Sequence, residues 1–448
     1  MLKSCLILCS ILYCFGQINA VLDPKVVCYY DNWLTWRTDE SKITVTDVDS
    51  TLCTHIVYGY LGVTSGSKIF IDDPDLLIKR KDLEHFTGNK GSAKALLSLG
   101  GWGYSQDPDK KDNWVSNLLN HPVAFVDDVM DFMKTYGFDG ITIDWSRDVW
   151  TDSDMSDYVK VLKALRSEFG TRYTLAVTLG ATTVRYDVKS VSELVDFITV
   201  QTIDYHGNWD DSVDFAAPID SQLTTMNRWY TAGASQSKLI MTIPFYAHTW
   251  TLKDSTHSEP GAPAKGPGVA GPWTKAAGKL GYNEICTGII AHPSSWKITR
   301  DTKSQSIYAV YGDQWISFED PLSLEEKTRS STSQGYGGVT VQALENDDFR
   351  NLCNQGKWSL LKGVQKGLDR TPVTRPPVTD PPIPTSDPTA ICKSEGLFKD
   401  PTDCHVYHNC IQYFPGVYTD EIKHCDNGQG FDDKLKKCVE ESLVPGCH

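Results

Sequence analysis

The chain has 448 residues, 40% of them hydrophobic and 22% charged, with a formal net charge of −14. An acidic balance of that size disfavours nucleic acid and anionic lipid surfaces as partners, whereas a neutral polysaccharide needs no charge complementarity. The length accommodates one large domain and one small module.

Residues 1–20 carry a basic Lys3, an apolar stretch from Leu6 to Phe15, and small or neutral residues leading to Ala20, the pattern of a cleaved secretory signal. No later stretch is apolar enough to span a bilayer, so the mature chain is expected to be secreted, extracellular, monomeric and without a membrane partner. Removing that segment takes Cys5, Cys9 and Cys14 from the thirteen cysteines and leaves ten. An even set in an oxidising compartment favours disulfides over metal or thiol chemistry, so neither metal nor cofactor is expected.

From Val26 to about Asn354 short apolar runs alternate with amphipathic stretches, the signature of repeated βα units. Strands are expected at Val26–Tyr30, Ile56–Tyr60, Ala95–Leu99, Phe138–Trp145, Tyr173–Leu179, Phe197–Asp204, Leu239–Tyr246 and Val339–Leu344. Eight such strands fit a closed (β/α)8 TIM barrel spanning residues 21–367. One helix starts at Pro122, carries Phe125, Val126, Val129, Phe132, Met133 and Tyr136 on one face, and stops at Gly137; another runs from about Ser153 to Gly170. The long stretch at about 251–338 is expected to carry a small α+β insertion. Residues 368–390 are too rich in proline and threonine to pack and form an extended linker. Residues 391–448 hold six cysteines, as a small disulfide-rich β module requires, because so short a segment cannot bury an adequate core.

The chemistry centres on Phe138 to Asp148, which reads Phe-Asp-Gly-Ile-Thr-Ile-Asp-Trp-Ser-Arg-Asp. Side chains alternate along a strand, so Thr142, Asp144 and Ser146 share one face and Ile141, Ile143 and Trp145 the other. The apolar face meets the helices, leaving the polar stripe to point into the barrel near its C-terminal mouth. Asp144 has two readings, a hydrogen-bonding role within a polar interior or contact with a ligand. Asp204 ends a strand at the same mouth. Tyr29, Trp33, Trp102 and Tyr246 are either ordinary core aromatics or stacking platforms, and Asp148 is read as a solvated loop residue.

The strand resembles the D-G-x-D-x-D-W-E motif of glycoside hydrolase family 18. Asp139, Gly140, Asp144 and Trp145 match; Thr142 stands where the family has an aspartate, and Ser146 where it has the glutamate that protonates the leaving oxygen. The resemblance extends over Val26–Trp33, Leu52–Tyr60, the K-x-x-x-S-x-G-G-W segment Lys94–Trp102, Tyr205-His206-Gly207, Pro244-Phe245-Tyr246 and Glu345–Phe349. It implies a chitinase fold in which the substrate's own N-acetyl group attacks the anomeric carbon while the acid protonates the glycosidic oxygen. A serine hydroxyl is too weak an acid for that step. Ile203 replaces the family's tyrosine, Gln342 the tryptophan that floors the cleavage subsite, and His248 an arginine. Asp139, Thr142, Asp144, Ser146 and Ile203 therefore form a degenerate catalytic set, and no residue is assigned catalysis.

The C-terminal cysteine spacing alone gives no connectivity. The module resembles the chitin-binding type-2, or peritrophin-A, family in Gly396-Leu397-Phe398, Tyr407–Cys410 and Gly430-Phe431. The two resemblances imply disulfides Cys392–Cys410, Cys404–Cys447 and Cys425–Cys438 in the module, and Cys28–Cys53 and Cys286–Cys353 in the barrel. A degraded barrel strand joined to one such module is most similar to the arrangement in mite chitinase-like allergens of group 18. The implied partner is chitin or chito-oligosaccharide, contacted through Tyr29, Trp102, Asp144, Asp204 and Tyr246 in the barrel and Tyr413, Phe414 and Tyr418 in the module. The implied function is chitin binding without hydrolysis. Its rivals are a weak or atypical chitinase and a barrel that scaffolds protein interactions.

Overall fold

The structure is a computed structural model that describes residues 24–64, 66–101, 103–104, 121–144, 152–368, 391–392, 394–414, 417–426, 428–445 and 447. Eight parallel strands close into a barrel: β1 Lys25–Asp31, β2 His55–Val63, β3 Lys94–Gly100, β4 Gly140–Asp144, β5 Thr174–Leu179, β6 Phe197–Val200, β7 Leu239–Pro244 and β8 Gly338–Gln342. Closure comes from β1, which pairs with β8 through Cys28↔Val341 and with β2 through Val27↔His55. The eight expected strands all form. The sixth is shorter than its apolar run suggests, because the chain turns away after Val200 and Asp204 adopts φ 58°.

Alternation along the strands builds two layers of core. Ile141 and Ile143 of β4 are fully buried against the surrounding helices, together with Phe125, Val129 and Met133 of the helix Pro122–Tyr136. That helix ends at Gly137, whose φ of 76° satisfies the left-handed stop. Inside the barrel, Val27, Tyr29, Val57, Leu96, Ala176, Phe197 and Ile240 fill the centre. Gly140 opens β4 because a Cβ there would lie 2.0 Å from the Thr174 carbonyl oxygen of the neighbouring strand.

Between β7 and the helix Pro321–Ser333 the chain forms an antiparallel sheet, in the order Ala264–Pro267, Tyr246–Leu252, Gln314–Phe318, Ser306–Tyr311 and Trp296–Asp301. Lys279–Gly281 also pairs with Tyr246–Leu252, and the helix Tyr282–Ala291 follows it. The sheet has its own core of Val213, Phe215, Trp250, Leu252, Tyr308 and Trp315. Lys327 of the helix Pro321–Ser333 fastens this unit: its buried ammonium donates to the Ala217 carbonyl at 2.6 Å, to Ser306 Oγ at 2.8 Å, and to Glu319.

The C-terminal module has a three-stranded antiparallel sheet, Gly396–Lys399, Val406–Phe414 and Val417–His424, and a two-stranded one, Gln429–Asp432 with Lys437–Glu440. Among the described residues its core is small: Phe431 is fully buried and stacked on Tyr407 at 4.6 Å, Val406 and Val444 are buried too, and the module holds the disulfides Cys392–Cys410, Cys404–Cys447 and Cys425–Cys438. Cys28–Cys53 and Cys286–Cys353 staple the barrel. No helix among the described residues is long and apolar enough to cross a membrane.

Candidate functional site

Residues at the C-terminal ends of the strands form the barrel mouth. The polar stripe of β4 is buried there, with Thr142 at 1% and Asp144 at 2% exposure. Thr142 Oγ1 lies 3.3 Å from Thr178 Oγ1, which is in turn 2.8 Å from the Tyr29 hydroxyl. Burial pushes the Tyr29 phenol above its usual range, and the nearby Asp144 charge adds to the effect. Tyr29 is thus tied into the barrel interior by hydroxyls, and the charge acting on it comes from Asp144, the one carboxylate that the described residues of β4 contribute.

Asp139, the first acidic residue of the motif, stands at the opposite end of β4. Its Oδ2 pairs with Lys90 Nζ at 2.6 Å and accepts the Ala95 backbone N–H at 2.9 Å. It joins the N-terminal ends of two strands, a position suited to stability rather than chemistry.

Asp204 is a second carboxylate of the mouth. Its Oδ1 accepts from the Tyr246 hydroxyl at 2.6 Å and from His248 Nε2 at 2.7 Å. Desolvation is the largest influence on Asp204 and raises its pKa, but the hydrogen bond and charge of His248, Lys279 and the Tyr246 bond together bring it below the usual carboxylate range. An ionised carboxylate only accepts, so His248 Nε2 carries the hydrogen. His248 itself is fully buried, and its Nδ1 has no partner among the described residues. Tyr246 and His248 are on the first strand of the antiparallel insertion, which brings them to Asp204 from outside the barrel sheet.

The floor at β8 is polar. Gln342 Nε2 donates to the Tyr60 hydroxyl at 3.1 Å, and the Tyr60 ring lies 6.0 Å from that of Tyr29. Ile203 is half-buried beside Asp204 and offers no hydrogen-bonding group. Trp102, Trp145, Ser146 and Asp148 lie outside the described residues, as do the side chains of Tyr413 and Phe414. Tyr418 stands on the module's strand Val417–His424, half-buried.

Three features of the mouth were not singled out from sequence. Trp209 is 59% exposed and meets His248 edge-on at 5.1 Å. The signal for it lies in Gly207, where a Cβ would sit 2.3 Å from the Trp209 ring, so the Tyr205-His206-Gly207 segment implies an indole packed over its glycine. The second is Asp31 at the end of β1, which takes a side-chain hydrogen bond from Trp33 and whose buried Oδ1 finds no partner among the described residues. Burial raises its pKa to about 7 against the opposing attraction of Arg37 and Lys279. The third is Glu345, just beyond β8, which burial and the Asp31 charge push well above the carboxylate range. Two groups of possible metal ligands occur among the described residues, around Cys404–Cys447 and Cys286–Cys353; in both the sulfurs are joined in a disulfide, so neither offers a thiolate.

The arrangement gathers hydroxyls, the Gln342 amide and the ionised Asp204 at the barrel mouth, with the exposed Trp209 indole beside them. Residues 25–347 match the family model described as glycosyl hydrolases family 18, and residues 392–447 the chitin-binding peritrophin-A domain. A chitinase-like mite allergen of Dermatophagoides pteronyssinus is 38% identical, over 96% of this chain and 95% of its own length. A group IV chitinase of Ostrinia furnacalis superposes with a TM-score of 0.69 at 31% identity, covering 77% of this chain and all of that one. A human protein described as a pseudo-chitinase with retained chitooligosaccharide-binding properties gives the same TM-score at 26% identity, over 77% of this chain and 99% of that one. The closed barrel, its antiparallel insertion, the ordered motifs and the matching family model together make the chain a member of glycoside hydrolase family 18, with a peritrophin-A chitin-binding domain at its C-terminus.

Proposed function

We propose that this is a secreted chitin-binding protein that does not hydrolyse chitin. The observation that carries the reading is the hydroxyl network of β4. Thr142 stands beside Thr178 where a second carboxylate would flank Asp144, and the sequence places Ser146 at the acid position. General acid catalysis contributes typically about 10²–10⁴-fold, and neither hydroxyl can protonate a leaving oxygen at neutral pH. Ile203 and Gln342 remove further support: the first cannot hydrogen-bond a reacting N-acetyl oxygen, and the second gives a sugar ring no aromatic face. Retention on chitin is assigned mainly to the C-terminal domain, and the barrel groove is read as a weaker site for chito-oligosaccharides, lined by Asp204, Tyr246 and the exposed Trp209 indole. The secretory pattern of residues 1–20, the five disulfides and the likeness to a mite allergen support an extracellular setting.

The test is to incubate the purified full chain with colloidal chitin and measure both retention and released reducing ends. Retention without turnover is expected. Turnover that disappears on Asp148→Asn would establish a relocated acid and overturn the reading.

A further inference from the structure

The disulfide Cys404–Cys447 closes the C-terminal domain over its small core. Cys447 Sγ lies against the strand Gln429–Asp432, where a Cβ on Gly430 would stand 2.7 Å from it, and nearby Val444 is buried. The next residue of that strand is Phe431, whose backbone N–H donates to the Cys404 carbonyl oxygen at 2.8 Å. Bridge and core therefore hold each other in place.

An imidazole meets both sulfurs. His405 Nδ1 lies 3.6 Å from Cys404 Sγ, and Nε2 lies 3.8 Å from Cys447 Sγ. Two carboxylates hold the ring, Asp403 Oδ1 at 3.0 Å from Nδ1 and Glu441 Oε1 at 3.4 Å from Nε2. The Asp403 hydrogen bond leads, and the Glu441 charge follows, in raising the His405 pKa against desolvation. A cation beside a sulfur stabilises its thiolate, and a thiol of lower pKa leaves faster in disulfide exchange. The other two bridges of the domain differ. Cys392 and Cys410 are buried, at 4% and 0% exposure; Cys425 and Cys438 are half-buried, as Cys404 is, but among the described residues no imidazole bonds to their sulfurs.

We propose that Cys404–Cys447 is a thiol-exchange site whose opening by a small neutral or cationic thiol releases the protein from chitin, with His405 stabilising the leaving sulfur. The release rests on the reading that the C-terminal domain holds chitin. A thiolate attacks Sγ of half-buried Cys404, and a mixed disulfide forms there as the Cys404–Cys447 bond breaks. The electron pair goes to Cys447 Sγ, which takes the Nε2 proton of His405, and the proton shed by the incoming thiol restores the ring. A second thiol displaces Cys404 in the same way, so that the bridge is reduced to two thiols and two small thiols are oxidised to their disulfide. Asp403 and Glu441 beside the bridge repel an anionic reagent, which sets the class of thiol.

The test exposes the full chain to cysteamine or to glutathione, traps free thiols with iodoacetamide at intervals, and maps the labelled cysteines by mass spectrometry. Retention on colloidal chitin is read on the same samples. Cys404 and Cys447 should be labelled before the cysteines of the four other disulfides, and retention should fall in step. Cysteamine should be favoured over glutathione more strongly here than at Cys425–Cys438; equal preference at the two bridges would remove the charge selectivity. His405→Gln should slow labelling of Cys404 and Cys447 about 3- to 10-fold and leave Cys425 and Cys438 unchanged. A variant that merely loosened the fold would open its bridges faster, so the sign of the effect separates the two causes. Earlier labelling of another pair, or a rate that His405→Gln does not lower, would overturn the exchange site. Retention that survives full labelling of Cys404 and Cys447 would overturn the release. If the untreated chain is not retained on chitin at all, the binding reading fails, and the order of labelling still decides the exchange chemistry.

Discussion

Asp204 and His248 are 44 residues apart in sequence and 2.7 Å apart at the barrel mouth. The pair is asymmetric. The carboxylate keeps 37% of its side-chain surface in contact with water, while the imidazole keeps none. His248 is wedged between Trp209, Tyr246 and Trp250, so it can move only if those rings do.

His248→Ala should therefore act on Asp204 first. The influences that hold the Asp204 pKa down begin with the His248 hydrogen bond and charge, and without them the raising effect of desolvation prevails. The Asp204 midpoint, followed by its carboxyl ¹³C shift, should move upward through the ordinary carboxylate range. Stability should fall by about 1–3 kcal/mol for the lost charge-assisted bond, more than in Tyr246→Phe, which leaves His248 in place. An Asp204 midpoint indifferent to His248 would show that Lys279 and Tyr246 suffice.

The sequence announces the barrel because its strands are bounded apolar runs, and it announces the degenerate β4 stripe because strand alternation places Thr142 and Asp144 on one face. What it hides is contact across elements. The Gln342–Tyr60 bond joins residues 282 apart, and the partners of Asp204 come from a strand whose start at Tyr246 is masked by the continuous apolar run of β7. The Asp31–Glu345 proximity is invisible for a related reason: Asp31 ends β1, Glu345 lies in the turn just beyond β8, and only the pairing of those two strands on barrel closure makes the two acids neighbours. Lys327 and Glu319 look like surface charges in sequence, yet both are buried as an ion pair.

Asp31 makes the barrel's stability depend on pH. Its folded-state pKa of about 7 is raised above the unfolded value, so the folded chain holds the proton more tightly. That contribution is fully present below the unfolded pKa near 4 and is lost as pH rises through about 7. The groups facing Asp31 are Arg37, Lys279 and the Trp33 side-chain hydrogen bond, which favour its charge, and Glu345, which opposes it. Asp31→Asn should consequently raise the barrel's thermal midpoint at pH 8 by roughly 2–4 °C and change it little at pH 5. A loss of stability at pH 8 would mean that the ionised Asp31 is held by Arg37 and Lys279 more strongly than burial opposes it.

Restoring the acid should not restore a chitinase. Ser146→Glu supplies a proton donor, but Thr142, Ile203 and Gln342 still leave the reacting N-acetyl group and its sugar without their expected partners. Activity of the single variant on colloidal chitin should remain at least about a hundredfold below that of an active family member, since each missing support acts on the same transition state. Near-normal rates in Ser146→Glu would show that the hydroxyl network around Asp144 is an adequate substitute.

The C-terminal domain offers the sharpest separation of roles. Among the described residues its buried hydrophobic side chains are only Val406, Phe431, Val444 and three half-cystines, so its fold depends on three disulfides, each typically contributing about 2–5 kcal/mol in small secreted domains. The barrel carries its own large core and its own two disulfides. Truncation near Pro384 should thus remove most retention on insoluble chitin while the barrel keeps its near-ultraviolet circular dichroism and its cooperative melting. Reduction should abolish retention by the isolated tail. In the full chain, Asp400→Asn should weaken retention as well: Asp400 Oδ2 holds the buried His408 at 2.9 Å, while Oδ1 caps the turn at Thr402 and Asp403. Asp400 is depressed by those bonds, so its support is present above the unfolded carboxylate pKa and is lost only as pH falls through its lower folded value. The domain should accordingly hold chitin at mildly acidic pH and release it only under strong acid. If the truncated barrel binds insoluble chitin as tightly as the full chain, the groove is the principal chitin site and this division of labour is wrong.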